Sequence, residues 1–383
     1  MNRRLVNRLS ARLNWRLVFL LILLGVLATR EVALELRPSF LRPGLHLMGY
    51  VGNTAEGTLT IVDLVKLSVV ATIPVGQGPS GVRAHPTRAE IWGLSSAGGY
   101  AWVLDARTNQ IVARIAVGAL PYALEFSPDG KRAYVAASGA NAVVEIDCAT
   151  RTVVGRGRAG RKPWIARVTP DGKTVVVSNR DDATVTLLDA ASLAPLAVIG
   201  VAPQPEQIAI LPDSSKAFVT SGATNQISIL DLKRKTLVTN LALGGAPGSL
   251  ILKPDGGELY IPLSDAHGVV VVNTSTNEVG DFLIVGMSPS GATLGPDGST
   301  LYVFDTAADH VVPVDINTRQ VQRPVQVGDD PGTGLMTPGG DALLVVDAGS
   351  NDLAVIRTNT PIPRLVTLIP VGLKPRDLAI KVF

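Results

Sequence analysis

Nine side chains between positions 83 and 206 could together hold a ligand: the cations Arg83, Arg161, Lys162, Arg167 and Arg180, the aromatics Tyr122 and Trp164, and the carboxylates Glu125 and Glu206. Guanidinium and ammonium groups offer charge-assisted hydrogen bonds, and aromatic faces offer a stacking platform. Together they suit an anionic or sugar-like molecule. A further charged set, Asp329, Asp330, Lys374, Arg376 and Asp377, falls late in the chain. Other chemistries find little support. The histidines His46, His85, His267 and His310 do not assemble at metal-ligand or triad spacing, and no metal is expected. Cys148 is the only cysteine, which excludes an internal disulfide, a Cys-rich zinc site and a c-type haem attachment pair. No catalytic residue is assigned and no cofactor is expected.

The elements that must position these groups follow from a repeat. Proline recurs at 79, 121, 163, 205, 247, 289 and 331, each 42 residues after the last, and again at 375. Seven residues beyond each of the first seven stands a second proline, from 86 to 338. A period of 40 to 50 residues signals propeller blades. In the repeat that starts at Pro121, YALEFS reads as strand a, Pro128-Asp129-Gly130 as a tight turn, RAYVAA as strand b, AVVEID as strand c and TVVGRGRA as strand d. Two columns of strand c are apolar in every repeat, Leu59 to Leu353 on one face and Val62 to Ile356 on the other. Burial on both faces is what sheets packed blade against blade require.

Blade number follows from where the repeat starts and stops. Residues 46–76 supply strands b, c and d, and residues 375–383 supply a lone strand a. Joined, they make one composite blade beside seven complete ones. The expected fold is therefore all-β, an eight-bladed propeller of four-stranded blades closed by pairing the C-terminal strand into the N-terminal blade. Closure hides the open edges of the sheets. Tyr50-Val51-Gly52-Asn53, Tyr134-Val135 and the recurring Val-Gly-x-x-Pro at 75–79 and 117–121 resemble the YVTN-type β-propeller repeat of surface-layer and periplasmic proteins. The resemblance covers residues 45–383. It implies a propeller with no common catalytic motif and a binding or scaffold role, and because many relatives have seven blades, seven is the alternative count.

Repetition also separates structural residues from functional ones. Asp63, Asp105, Asp147, Asp189, Asp231 and Asp315 share one column, as expected of side chains that bond the backbone of the c–d turn. Asp129, Asp171, Asp213, Asp255 and Asp297 share another, after the a–b turn proline. The nine residues above belong to single blades. They fall in strand a or in the d–a and b–c connections, which emerge on one face around the channel mouth, where loops on a rigid scaffold carry binding sites. Arg83, Glu125 and Arg167 occupy one column of three consecutive inner strands. They read either as a solvated charge ladder or as the cationic wall of a pocket whose platforms are Tyr122 and Trp164. The later set, 329–330 and 374–377, is expected across the ring.

Residues 1–44 carry eight arginines against Glu31 and Glu35, a net +6 that leaves −3 on the remainder of the +3 chain. The acidic body excludes a nucleic-acid footprint. The basic stretch and the apolar run at 17–28 predict a signal peptide or signal anchor over 1–28, with a linker at 29–44 and a single propeller domain at 45–383. Export to the periplasm or the extracellular side is expected, with a possible membrane tether through residues 17–28. The functional expectation is a non-catalytic binding or scaffold protein of the cell envelope, engaging an envelope protein or a small anionic or sugar-like ligand at the channel mouth. The alternatives are a lactonase-like hydrolase and a redox-cofactor-associated propeller.

Overall fold

The computed structural model describes residues 46–383, so the expected signal segment and linker lie outside the described residues. Eight antiparallel sheets form the blades, as the repeat predicts. Blade 1 is the composite one: Pro375–Val382 is its inner strand a, followed outward by Leu47–Asn53, Thr58–Asp63 and Ser68–Pro74. The inner strands of blades 2 to 5 are Pro79–Ala84, Pro121–Phe126, Pro163–Val168 and Pro205–Ile210. Those of blades 6 to 8 are Ile251–Leu252, Pro289–Leu294 and Pro331–Met336.

Closure is a full ladder. Seven residue pairs, from Leu47 opposite Val382 to Asn53 opposite Pro375, join the chain's last strand to its first described one. The His46 ring stacks on Phe383 at 5.7 Å, and the two residues exchange backbone hydrogen bonds of 3.0 and 3.1 Å.

Packing between blades uses a column the sequence reading did not single out. The third or fourth residue of strand b is Tyr50, Trp92, Tyr134, Val176, Phe218, Tyr260, Tyr302 and Leu344 in successive blades, and all eight are buried. Large apolar side chains at one height fill the wedge between adjacent sheets. The Tyr134 hydroxyl also donates to the Ala190 carbonyl of the next blade at 2.7 Å.

Two prolines explain the two irregular blades. Pro262, in strand b of blade 6, accepts from Gly248 but has no N–H to return toward strand a, and that inner strand shrinks to two residues plus an isolated bridge at Pro247. Pro313, in strand c of blade 7, accepts from Gln322 and likewise returns nothing. The outer strand there splits into Gln320–Val321 and Val325–Gln326.

The repeated aspartates are structural, as read. Asp63, Asp105, Asp147, Asp189 and Asp315 each accept two backbone N–H groups of the c–d turn through Oδ1, and Asp231 accepts one. His267 sits at φ 63° in a b–c turn. Cys148 is buried, and burial pushes its thiol up to about 12.

Candidate functional site

The d–a loops, the b–c turns and the first residues of the inner strands enclose a cavity of about 920 Å³ at the channel mouth. Its wall includes Arg83, Tyr122 and Arg167 from blades 2 to 4, Gln207 from blade 5, Ser290 from blade 7 and Thr333 from blade 8. Lys374, Arg376 and Asp377 of blade 1 and Asp330 of the loop into blade 8 complete it. Four cations against two carboxylates line it, a formal excess of +2.

The late charged set is therefore not across the ring from Arg83. Closure brings the C-terminal strand against blade 2, so Asp377 and Arg83 are neighbours. Gly81 makes the joint: its φ of 60° is a left-handed conformation that favours glycine, and it turns its N–H to Asp377 Oδ2 at 2.9 Å. Burial raises the Asp377 carboxyl above the ordinary range, while Arg83, the Gly81 N–H and Arg376 oppose that shift.

The inner-strand ladder holds one rung. Arg167 Nη1 lies 2.5 Å from Glu125 Oε2, whereas Arg83 donates to the Val82 carbonyl at 3.0 Å and meets no carboxylate at ion-pair distance. Among the described residues no ion pair involves Arg83, Lys374 or Arg376. Two wall hydroxyls, Thr54 Oγ1 and Ser80 Oγ, are buried without a hydrogen-bond partner. Buried polar atoms left in this condition are unusual and gain from a ligand that reaches them.

The two expected platforms form one column. Tyr122 and Trp164 stack with centroids 3.6 Å apart and planes at 27°. Arg180 covers Trp164 at 5.3 Å from its ring centroid and is tied to Glu206 Oε1 at 2.9 Å and Gln204 Oε1 at 3.1 Å. Trp164, Arg180 and Glu206 thus form the backing, and Tyr122, 36% exposed, presents the free edge to the cavity. Burial and the nearby Asp377 and Glu206 raise its hydroxyl above the usual phenol range.

Arg161 and Lys162 stand outside this cavity. Arg161 pairs with Asp182 and donates to the Asp181 carbonyl, and Lys162 Nζ lies 3.7 Å from Asp181. Their loop matters for its shape: Lys162, at φ 53°, repeats the left-handed position of Gly78, Leu120, Gln204, Asp330 and Lys374. On the opposite face, a cavity of about 420 Å³ between blades 3 and 4 contains Arg132, but that side chain is engaged by Glu145 at 3.1 Å and by Asp147.

Sequence reasoning found Arg83 and Tyr122 and under-weighted Arg376 and Asp377. The signal was present in the closure it proposed, since blade 1 must border blade 2. The orphan hydroxyls carried no such signal. No group of three or more His, Cys, Asp or Glu among the described residues is placed to hold a metal ion.

Residues 121–281 match the family model described as YNCE-like beta-propeller. None of the curated proteins is a match in sequence. Among solved structures, the dihydro-heme d1 dehydrogenase NirN in complex with DHE is similar at a TM-score of 0.74 and 17% identity, over 89% of this chain and 76% of that one. Hydrazine synthase of Kuenenia stuttgartiensis gives 0.60 and 19%, over 73% and 96%. AztD of Citrobacter koseri in its apo form gives 0.66 and 12%, over 88% and 98%. At these identities the likeness is one of fold.

Proposed function

We propose that this chain, a YVTN-type β-propeller by its match to the YNCE-like family over residues 121–281, is a non-catalytic binding protein of the cell envelope that takes a small anionic ligand at its channel mouth. The observation that carries this reading is the set of lining cations, Arg83, Lys374 and Arg376, none of which is in an ion pair among the described residues, with Asp377 the one carboxyl group that acts on both Arg83 and Arg376. A ligand carboxylate or phosphate would supply the missing counter-charge, Thr54 and Ser80 would add hydrogen bonds, and Tyr122 would pack against its apolar part. Export and any membrane tether rest on the expected signal in residues 1–28.

The test is a thermal-shift and calorimetric titration at low salt with small mono- and dicarboxylates, phosphate and neutral sugars. Anions should bind, with affinity falling as salt screens the site. Arg376→Ala and Arg83→Ala should each weaken binding about tenfold or more while moving the melting temperature only a few degrees. Equal response to neutral sugars, or full anion affinity in both variants, would overturn the proposal.

A further inference from the structure

The last residue of strand b occupies an equivalent place in every blade: Asn53, Ser95, Ala137, Asn179, Ser221, Leu263, Asp305 and Asp347. In blades 1 and 4 it is an asparagine that clamps two segments. Its Oδ1 accepts the N–H of the d–a loop glycine, Gly372 at 3.2 Å in one blade and Gly160 at 3.0 Å in the other. Its Nδ2 donates to two threonine hydroxyls of strand c. These are Thr58 and Thr60 at 2.9 and 2.8 Å, and Thr184 and Thr186 at 3.0 and 2.8 Å.

Blade 8 keeps half of this clamp. Asp347 Oδ2 accepts from Gly328 at 3.0 Å. Where the second half should be, Asp347 faces Asp352 across the hairpin, and Ala354 replaces the other threonine. Asp347 is fully buried and Asp352 is 8% exposed, and the Oδ1 atom of each has no partner. Two acceptors thus stand where blades 1 and 4 place a donor and an acceptor. A hydrogen is needed between them.

The surroundings offer no cation to substitute for it. Asp309, the other carboxyl group that raises Asp347, accepts the Asp330 N–H at 3.1 Å, and Ser350 Oγ accepts the Asp329 N–H at 2.8 Å. Among the described residues no ion pair joins Asp309, Asp347 or Asp352 to a basic side chain. A Cβ on Gly328 would lie 2.7 Å from Asp352 Oδ1 and 2.8 Å from Asp347 Oδ2, so the loop is seated directly on the pair.

We infer that Asp347 and Asp352 share one proton and form a pH-sensitive latch, which holds residues 328–330 at the edge of the channel mouth while protonated and releases them when the proton leaves. Asp330, Val346 and Ala348 on this edge line the mouth cavity, so the latch shapes it whether or not the cavity takes an anion. Burial and Asp352 push the Asp347 carboxyl up to about 9, with the Gly328 N–H pulling the other way. The sign follows: a carboxyl raised on folding binds its proton more tightly in the folded state. The latch holds while Asp347 keeps its raised proton and is lost as pH rises through that value.

The experiment is amide exchange on the full chain, read as the rate at Gly328 relative to that at Gly160, whose partner Asn179 does not titrate. In the wild type this ratio should rise roughly tenfold or more between about pH 7 and about pH 10. It should stay flat in Asp347→Asn, which restores the donor seen in blades 1 and 4, and in Asp352→Asn, which donates from the other side. Either variant suffices if the other fails to fold. A flat ratio in the wild type, a rise that persists in the folded variant, or suppression of the rise by a stoichiometrically bound calcium ion would overturn the latch.

Discussion

Removing residues 375–383 should open the ring, and the size of the effect can be worked from the closing strand. Seven residue pairs join it to Leu47–Asn53, the last of them at Pro375, which has no N–H to donate; at about one ladder hydrogen bond for each other pair and about 1 kcal/mol net per bond, the pairing contributes roughly 6 kcal/mol. Leu378, 3% exposed, adds about 2 kcal/mol of apolar burial. The sum of about 8 kcal/mol is comparable with the whole stability of a typical domain, roughly 5 to 15 kcal/mol. The edge of Leu47–Asn53 would also be exposed, and the inner strands of the two neighbouring blades would lose the strand that packs between them. The assay is a pair of circular-dichroism melts with soluble yield. The truncated protein should be largely insoluble or melt tens of degrees lower, and a synthetic peptide of residues 373–383 added in trans should restore part of the loss. A truncated protein that melts within a few degrees of the full chain would refute the closure argument.

Other perturbations have distinct signatures. Tyr134→Phe removes the 2.7 Å bond to Ala190 while keeping the ring that fills the wedge, so denaturant unfolding should show a loss of about 1 kcal/mol. Cys148, buried and held far above neutrality, should resist a thiol reagent at about pH 8 until the protein is unfolded, and labelling of the native protein would contradict its placement.

Most of the fold was legible because its information is columnar. Prolines at fixed spacing set the blades, apolar columns set the two buried faces of strand c, and the first and last partial repeats set the closure. The turn aspartates were legible for the same reason. The site was less so. Arg83, Glu125 and Arg167 share a column, yet only Arg167 and Glu125 pair, because Gly81 distorts the inner strand of blade 2 and Asp377 is the acid that faces Arg83. Column position fixes a residue's height on a strand and leaves open which neighbour its side chain reaches. Tyr122 and Trp164 looked like two platforms, but residues one repeat apart on adjacent inner strands come close enough to stack on each other. The blade 8 carboxyl pair escaped notice because aspartate and asparagine look interchangeable in a turn until their hydrogen-bond partners are counted.

The most direct measurement of the central claim is a crystal structure of the full chain with the strongest anion from the titration. Density for that anion is expected in the channel mouth, in contact with Arg83 and Arg376 and beside the Tyr122 ring. Anion density confined to the Arg161 and Lys162 rim or to the Arg132 groove, with the mouth holding only water, would contradict it.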